Sequence, residues 1–282
     1  MWPCEQLDRL RVHLRENTIL GERYASTMAI PTRDPKNYTE EALKKLPGWF
    51  YEFRFSNGAT SEVVDELTNV IHQTRADLIF PFLDGFFGER WDKIRCLDLA
   101  CHQGWFSTQV ALRGATKVQG IDIRNEHVVR ALAIRELGHL SNMNVSQRNL
   151  YAVRPEDDGT YELTLFLGIL YHLDNPLEAL RIVRSVTKKL CVIETQVARS
   201  SPELHCLWGS GSPRKGPGIA VVHSDETHVA GARRVVLVPT LDALYQILYA
   251  VGFQRLYLSI PRPDMYEQFA CFDRVVVFAQ TG

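Results

Sequence analysis

The stretch that decides the fold is IRCLDLACHQGWFSTQVALRG, residues 94–114. An apolar run ends at Asp98, a turn of small and polar residues follows, and Gly104 precedes a helix-like pattern. Ligands of open parallel sheets bind beyond the carboxyl ends of the strands, so this segment predicts a binding crevice at Asp98. The turn lacks the G-x-G-x-x-G pattern with which a backbone approaches a pyrophosphate, which argues against a dinucleotide.

After this stretch, β-rich apolar runs alternate with helical patterns, which predicts a mostly parallel α/β domain over residues 91–282. Asn175, Pro176 and Glu178 form a helix start with an N-cap, and the helical pattern runs from Pro176 to Lys188. Near the end of the chain, the runs FQRLYLSI and DRVVVFAQ predict an antiparallel edge of the sheet.

Two regions lie outside this alternation. Residues 1–90 predict an N-terminal cap of helix and hairpin, with a turn at Asn57-Gly58. Apolar residues at helical spacing follow that turn, namely Val63, Val64, Leu67, Val70 and Ile71. Residues 197–238 interrupt the sheet pattern with the stretch GSGSPRKGPG, which predicts a lid loop inserted after the fifth strand.

Composition narrows the class of partner and compartment. The 32 basic and 33 acidic residues nearly cancel, so the sequence does not favour a nucleic-acid partner, which needs a broad basic surface. Six cysteines form no C-x-x-C pair, and Cys96 and Cys191 fall in apolar runs, which indicates buried thiols in a reducing cytoplasm. No signal peptide or transmembrane run is found, and we predict a cytoplasmic protein without a membrane partner. The oligomeric state is not indicated.

The pattern Asp98-x-Ala100-x-His102-x-Gly104 resembles the D-x-G-x-G-x-G turn of class I S-adenosylmethionine-dependent methyltransferases, with Ala100 and His102 at two glycine positions. Asp122 ends the second strand, where an acid can accept both hydroxyls of a ribose. The resemblance implies a Rossmann-like fold with a seven-stranded, mostly parallel sheet. It also implies S-adenosylmethionine as cofactor and S-adenosylhomocysteine as product. The cofactor-binding residues so implied are Asp98, Ala100, His102, Gly104, Trp105, Asp122, Ile123, Asn149, Leu150 and Gly168.

A second stretch, LFLGILYHLDNPLEALR at residues 165–181, resembles a subgroup that includes the tRNA wobble-uridine carboxymethyltransferases. WFYEFRFSNGATS at residues 49–61 is similar to the element that precedes the catalytic domain in that subgroup. Those enzymes use a basic N-terminal stretch and a C-terminal Arg-rich segment around a carboxylated cofactor and RNA. Neither is found in this sequence, which favours plain S-adenosylmethionine and another acceptor.

Methyl transfer is an in-line displacement, so the enzyme aligns the acceptor and, for a hydroxyl or amine, removes a proton. The resemblance implies that Tyr171 and His172 lie beside the acceptor, with His172 as general base and Tyr171 as an orienting or stacking residue. Glu194, at the end of the fifth strand, is a third candidate. The alternatives are a hydrogen-bonded wall residue for His172 and a helix-capping or solvated acid for Glu194. Trp105 and Asp98 also have alternatives to a cofactor-binding role. Trp105 could be a core residue, and Asp98 an acid that bonds turn amides.

The insert also contains one cluster of metal-ligand residue types and two basic pairs. His223, Asp225, Glu226 and His228 include metal-ligand types, but a solvated loop is favoured and no metal is predicted. Arg214-Lys215 and Arg233-Arg234 suit an acidic acceptor or a phosphate, although surface charge explains them equally well.

The sequence therefore predicts an enzyme that transfers a methyl group to an oxygen, nitrogen or carbon of a small or medium-sized acceptor. A tRNA-modifying methyl- or carboxymethyltransferase is the first alternative. A non-catalytic S-adenosylmethionine-binding module is the second, because His102 departs from the turn's glycine pattern.

Overall fold

The computed structural model of the chain describes residues 27–198, 218–223 and 235–282. Its centre is a seven-stranded sheet in the order β3-β2-β1-β4-β5-β9-β8, beside a two-stranded sheet of β6 and β7. The strands are β1 Arg95–Leu99, β2 Lys117–Asp122, β3 Met143–Gln147, β4 Tyr161–Leu167, β5 Thr187–Gln196, β6 Ile219–His223, β7 Val235–Pro239, β8 Arg255–Leu258 and β9 Arg274–Gln280.

Helices cover both faces of the large sheet. They are α1 Lys36–Lys44, α2 Glu66–Phe87, α3 Trp105–Leu112, α4 Asn125–Leu137, α5 Pro155–Asp158, α6 Pro176–Val186, α7 Leu241–Ala250 and α8 Glu267–Ala270. Short 3₁₀ turns lie at Gly88–Lys93, Leu150–Ala152 and Leu170–His172. As the sequence predicts, Asn175 caps α6 through a bond from the Glu178 N–H, and Thr240 caps α7.

The strand directions explain where the crevice lies. Strands β1 to β5 pair in parallel, whereas β9 is antiparallel to both β5 and β8. The predicted antiparallel edge is confirmed, with β9 inserted between β5 and β8. β1 pairs with β2 on one side and with β4 on the other, so the order of the strands reverses between β1 and β4. Ligands of such sheets bind at this topological switch point.

The strand core is apolar on both faces, as helices on both sides require. Cys96 and Cys191 are fully buried in β1 and β5, which confirms the prediction for these thiols. One predicted boundary is wrong by two residues: the helix expected to reach Lys188 ends at Val186, because Thr187 already pairs with Tyr161 at the start of β5.

The described part of the N-terminal region packs on the same core as the sheet. Trp49, Phe53 and Phe55 belong to one buried cluster with residues of β1, α3 and β3. The predicted turn at Asn57-Gly58 is confirmed. Arg54 and Thr60, on either side of it, form an antiparallel β-bridge, and Gly58 has a φ of 83°. This region therefore shares its hydrophobic core with residues 91–282.

Helix α2 buries a different face from the one its first apolar residues suggest. Val64, just before the helix, and Leu67 and Val70 in its first turns are exposed. The buried face begins at His72 and includes Arg75, which is 5% exposed. Apolar spacing in these first turns therefore does not mark the buried face, and three polar side chains, those of His72, Thr74 and Arg75, lie in the interior.

The predicted insert contains a strand pair, in which Ile219 lies opposite Pro239 and His223 opposite Val235. The clusters Arg214-Lys215, Arg233-Arg234 and Asp225, Glu226 and His228 lie outside the described residues. Among the described helices, none combines the length and apolarity that crossing a membrane requires.

Candidate active site

The turn between β1 and α3 has the backbone of a glycine-rich turn although two glycines are replaced. Ala100, His102 and Gly104 have φ of 57°, 53° and 73°. L-residues reach this left-handed region only at a cost of about 1–2 kcal/mol each. A Cβ on Gly104 would also lie 3.0 Å from the Ala131 Cβ, so this glycine permits close packing of the turn on α4.

Asp98 lies under this turn and is 3% exposed. Its Oδ2 accepts a hydrogen bond from the Ser107 hydroxyl at 2.6 Å. Burial raises the pKa of Asp98 to about 7, although the bonds from Ser107 and the charge of Arg75 oppose the shift. The observed partner of Asp98 is Ser107, in the first turn of α3 rather than in the β1–α3 turn itself, and its role in cofactor binding stays a prediction.

Asp122 stands at the end of β2, facing the same turn. Its Oδ2 accepts from the His102 N–H at 2.9 Å and its Oδ1 from the Arg124 N–H at 2.9 Å. The Nδ1 of His127 lies 3.3 Å from Oδ1. Burial alone would raise the pKa of Asp122, but these bonds outweigh it and hold the pKa below its usual value. Asp122 is therefore an ionised, fixed acceptor at the predicted ribose position.

Three further residues of the predicted cofactor-binding set have different environments. Ile123 is 55% exposed, an unusual position for an isoleucine at the end of a buried strand and one that suits an apolar ring. Leu150 is buried. The side-chain oxygen of Asn149 accepts from the Tyr151 N–H, so this residue also stabilises the turn that follows β3.

Residues that follow the turn connect it to the N-terminal region. The indole N–H of Trp105 donates to the Glu52 carbonyl at 3.0 Å, and Trp105 is 7% exposed. The side chain of Gln103 donates to Gly48 and accepts from the Phe50 N–H. Trp105 thus lies in the core, as the alternative interpretation predicted. These hydrogen bonds hold residues 48–52 beside the turn.

On the other side of the switch point, Gly168 follows β4 with φ of 70°. A Cβ there would lie 3.2 Å from Glu194 Oε2 and 3.7 Å from the Tyr171 hydroxyl. Tyr171 and His172 come next in a 3₁₀ turn, with ring centroids 4.2 Å apart. The four predicted residues Gly168, Tyr171, His172 and Glu194 therefore lie together at the carboxyl ends of β4 and β5.

Glu194 is fully buried between two arginines. Its Oε2 lies 3.0 Å from Arg75 Nη2, and its Oε1 accepts from Arg274 Nη1 at 2.7 Å. Arg274 Nη1 also donates to the Tyr171 hydroxyl at 3.1 Å. The reading of Glu194 as a helix-capping or solvated acid is wrong, because the tertiary fold brings guanidinium groups from α2 and β9 onto the end of β5.

Glu194 and His172, at the ends of β4 and β5, each keep a single protonation state near neutral pH. Burial would raise the pKa of Glu194, but Arg75 and Arg274 outweigh it and keep the carboxyl ionised. Burial lowers the pKa of His172 to about 4, and the charge of Arg274 adds to the effect. His172 is therefore neutral, and its Nδ1 is buried without a hydrogen-bond partner among the described residues.

Sequence reasoning missed four residues of this site: His72, Arg75, His127 and Arg274. Arg75 lies in the helical run HQTRADLIF, where an arginine reads as the solvated side of a helix. Arg274 opens the last strand, far along the chain from Tyr171, which it contacts. Only the acidic residues and the glycine at strand ends follow a pattern that a sequence displays.

The sheet order and its flanking helices form an α/β Rossmann-like methyltransferase fold, and comparisons with known proteins report similarities to methyltransferases. Residues 91–227, just under half of the chain, match the family described as a methyltransferase domain. The chain is therefore similar to that family over those residues.

Curated relatives match only parts of this chain. Over 173 residues it is 26% identical to a tRNA U34 carboxymethyltransferase of Desulfotalea psychrophila, covering 61% of this chain and 48% of that one. Over 143 residues it is 29% identical to the Escherichia coli O-antigen chain terminator bifunctional methyltransferase/kinase WbdD, covering 49% and 20%. The chain thus matches about half of the first relative and a fifth of the second.

Solved structures share the fold over more of the chain. The N-terminal domain of EvdMO1, crystallised in the presence of S-adenosylhomocysteine and D-fucose, superposes with a TM-score of 0.65 at 18% identity, covering 92% of this chain and all of that one. Magnesium protoporphyrin IX methyltransferase of Synechocystis PCC 6803, with bound S-adenosylmethionine, gives 0.53 at 15% identity over 88% and 95% of the two chains. At these identities the likeness establishes the fold.

Proposed function

We propose that this chain transfers the methyl group of S-adenosylmethionine to an oxygen, nitrogen or carbon of a small or medium-sized acceptor and releases S-adenosylhomocysteine. The observation that carries the proposal is the pair formed by the β1–α3 turn and Asp122. The turn keeps left-handed backbone at Ala100, His102 and Gly104, and the ionised Asp122 faces it from the end of β2. This pair lies within the region that matches the methyltransferase-domain family.

The described residues fit such a cofactor. When bound, S-adenosylmethionine supplies an activated methyl group on a positively charged sulfur. Asp98 and Asp122 give this half of the crevice carboxyl groups, and the neighbouring His102 is neutral because burial lowers its pKa to about 3. Exposed Ile123 offers an apolar contact for an adenine ring. A carboxyl-lined cleft with neutral neighbours attracts a cation.

The acceptor would lie beside Tyr171, His172 and Glu194. Because Arg274 donates to the Tyr171 hydroxyl oxygen, the hydroxyl hydrogen of Tyr171 is available to orient an acceptor oxygen. Neutral His172 can accept a proton at its Nδ1, although a pKa of about 4 makes it a weak base. Glu194 holds two arginines in place. This arrangement favours acceptors whose proton is acidic over unactivated alcohols.

A specific observation supports the tRNA-modifying alternative. Arg274 of the last strand shares Glu194 with Arg75 and donates to the Tyr171 hydroxyl. Two guanidinium groups against one carboxylate leave an excess positive charge, which suits a carboxylate on the cofactor or the acceptor. Carboxymethyl transfer is therefore the second candidate function, in line with the partial similarity to a tRNA U34 carboxymethyltransferase.

The backbone conformation of His102 weakens the case for a non-catalytic binding module. That alternative arose from His102 in place of glycine, but His102 has the left-handed backbone that a glycine would adopt. The departure changes the side chain over the crevice and leaves the course of the turn intact.

Calorimetric titration with S-adenosylhomocysteine tests the cofactor site first. We expect Asp122→Ala to weaken binding tenfold or more, about 1.4 kcal/mol, because it removes the ribose acceptor. Asp264→Ala is the control, since this carboxylate is exposed and pairs only with Arg262 among the described contacts. A wild-type protein that binds neither S-adenosylhomocysteine nor S-adenosylmethionine would exclude the proposal.

Turnover then separates the candidate functions. Purified protein is incubated with methyl-labelled S-adenosylmethionine and panels of hydroxylated, acidic and amine acceptors, and in parallel with tRNA. Label transfer to a small acceptor supports the first function. Modification of tRNA only with a carboxylated cofactor supports the second, and cofactor binding without any transfer favours the binding module.

A further inference from the structure

Two histidines form a stacked pair beside Asp122. The ring centroids of His102 and His127 are 3.6 Å apart, with 33° between the ring planes. The Phe50 ring centroid also lies 4.8 Å from that of His102. The pair joins the β1–α3 turn to the first helical turn of α4, and the N-terminal region covers it through Phe50.

The position of His102 has an energetic cost. Its φ of 53° is unfavourable for a residue with a Cβ. Its Nδ1 is buried and has no hydrogen-bond partner among the described residues. Contacts with the rings of Phe50 and His127 offset part of this cost. His127 is thus part of what holds the turn in its cofactor-binding form.

His127 also acts directly on Asp122. A carboxylate offers about four acceptor positions. Two backbone N–H groups, those of His102 and Arg124, occupy one position on each oxygen. The contact from His127 Nδ1 to Oδ1, at 3.3 Å, takes a third. Donors on both oxygens prevent rotation of the carboxylate, and the position that remains on Oδ2 has a fixed direction.

We propose that His127 is a positioning residue for the cofactor's ribose: by donating to Asp122 Oδ1 it holds the carboxylate in the orientation that accepts a ribose hydroxyl. The inference rests on the proposed function, since it needs an adenosyl cofactor in this crevice. Donation to Oδ1 requires that Nδ1 of His127 carry a proton. The donor matters for the ribose, and the ring matters for the stack with His102.

Three substitutions separate the donor from the ring. His127→Asn keeps an N–H donor near the same place and lacks the ring, His127→Phe keeps a stacking ring and lacks the donor, and His127→Ala lacks both. His139→Ala is the matched control, because His139 is exposed and lies just beyond the other end of α4. Each protein is titrated with S-adenosylhomocysteine and with its 2′-deoxy and 3′-deoxy ribose analogues.

We expect His127→Ala and His127→Phe to weaken S-adenosylhomocysteine binding about tenfold, whereas His127→Asn stays within about threefold of the wild type. The loss should shrink to about twofold or less for the deoxy analogue that lacks the hydroxyl bound by Asp122. A purely structural role would weaken all three ligands equally, and that result would overturn the inference. So would unchanged or tighter binding by His127→Phe, which would mean that His127 competes with the ribose.

The result for the wild type separates a failure of the inference about His127 from a failure of the proposed function. If wild type and His139→Ala bind S-adenosylhomocysteine while the His127 variants behave like them, the inference fails and the proposed function stands. If wild type binds no adenosyl ligand, the proposed function fails and the inference fails with it. Thermal unfolding of each variant, measured beforehand, identifies the folded proteins; His127→Phe retains the ring and is the variant expected to fold best.

Discussion

Asp98 and Glu194 are both buried carboxyl groups at the carboxyl ends of strands, yet their pKa values shift in opposite directions. Asp98 has Ser107 as hydrogen-bond partner, and burial raises its pKa to about 7. Glu194 has two guanidinium groups within 3.0 Å, and they hold its pKa below the usual value despite complete burial. Burial by itself therefore does not decide the charge of a crevice carboxyl; a facing cation does.

The difference divides the crevice into two halves of opposite character. The half at β1 and β2 has the carboxyl groups of Asp98 and Asp122 and the neutral imidazole of His102, whereas the half at β4 and β5 has two arginines for one glutamate. A cationic cofactor is favoured in the first half and an electron-rich or acidic group in the second. The methyl group would pass from one half to the other across the switch point.

Removing the charge of Glu194 should have the largest effect. Glu194→Gln leaves Arg75 and Arg274 buried without their counter-ion, and loss of one partner of a buried ion pair costs about 3–5 kcal/mol. Denaturant unfolding measures this loss. Glu162→Gln on β4 is the control, because its partners Arg95 and Lys188 are 44% and 57% exposed, and about 1 kcal/mol or less is expected there. Equal losses for the two variants would contradict the comparison.

Asp98 should make the free energy of unfolding fall as the pH rises, whereas an acid paired with a cation makes it fall as the pH drops. Its folded-state pKa of about 7 lies above the unfolded value of 3.8, so the folded protein binds more protons between these values. The stabilising contribution is present below about pH 4 and is lost as the pH rises toward about 7, by at most about 4 kcal/mol. Asp98→Asn should remove this dependence.

The measurement is the free energy of unfolding of wild type and Asp98→Asn at several pH values across that window. The difference between the two proteins isolates Asp98 from other titrating groups. A wild-type stability that rises over the window relative to Asp98→Asn would show that Asp98 is ionised and paired, as Glu194 is.

The smallest expected effect concerns the space beside Glu194. Gly168→Ala combines a strained φ of 70° with a Cβ at 3.2 Å from Glu194 Oε2. Gly159→Ala, at φ of 73° with open space around it, measures the backbone cost alone, about 1 kcal/mol. We expect Gly168→Ala to lose about 1 kcal/mol more in thermal unfolding, from the displaced ion pair. Equal losses would mean that the Arg75–Glu194–Arg274 cluster moves freely.

Much of the fold could be predicted because the signals are local. Alternation of apolar runs and helical stripes gave the strands from β1 to β5, and caps such as Asn175 and Thr240 marked helix starts. The acids at strand ends, Asp98 and Asp122, were also predictable, since parallel strands bring their carboxyl ends to one edge. The face of α2 was not, because apolar spacing in its first turns favoured residues that the structure leaves exposed.

The sequence by itself determined the architecture and the frame of one half of the crevice: the strand–turn–helix at residues 94–114 and Asp122 at the end of the next strand follow from patterns within a few residues. Only the tertiary structure decided the other half. Arg75 of α2, Glu194 of β5 and Arg274 of β9 are far apart along the chain, and only Glu194 is marked by the sequence as a candidate site residue. They become a buried cluster because packing excludes water from three elements at once, and a charge so enclosed requires a partner that local sequence does not specify.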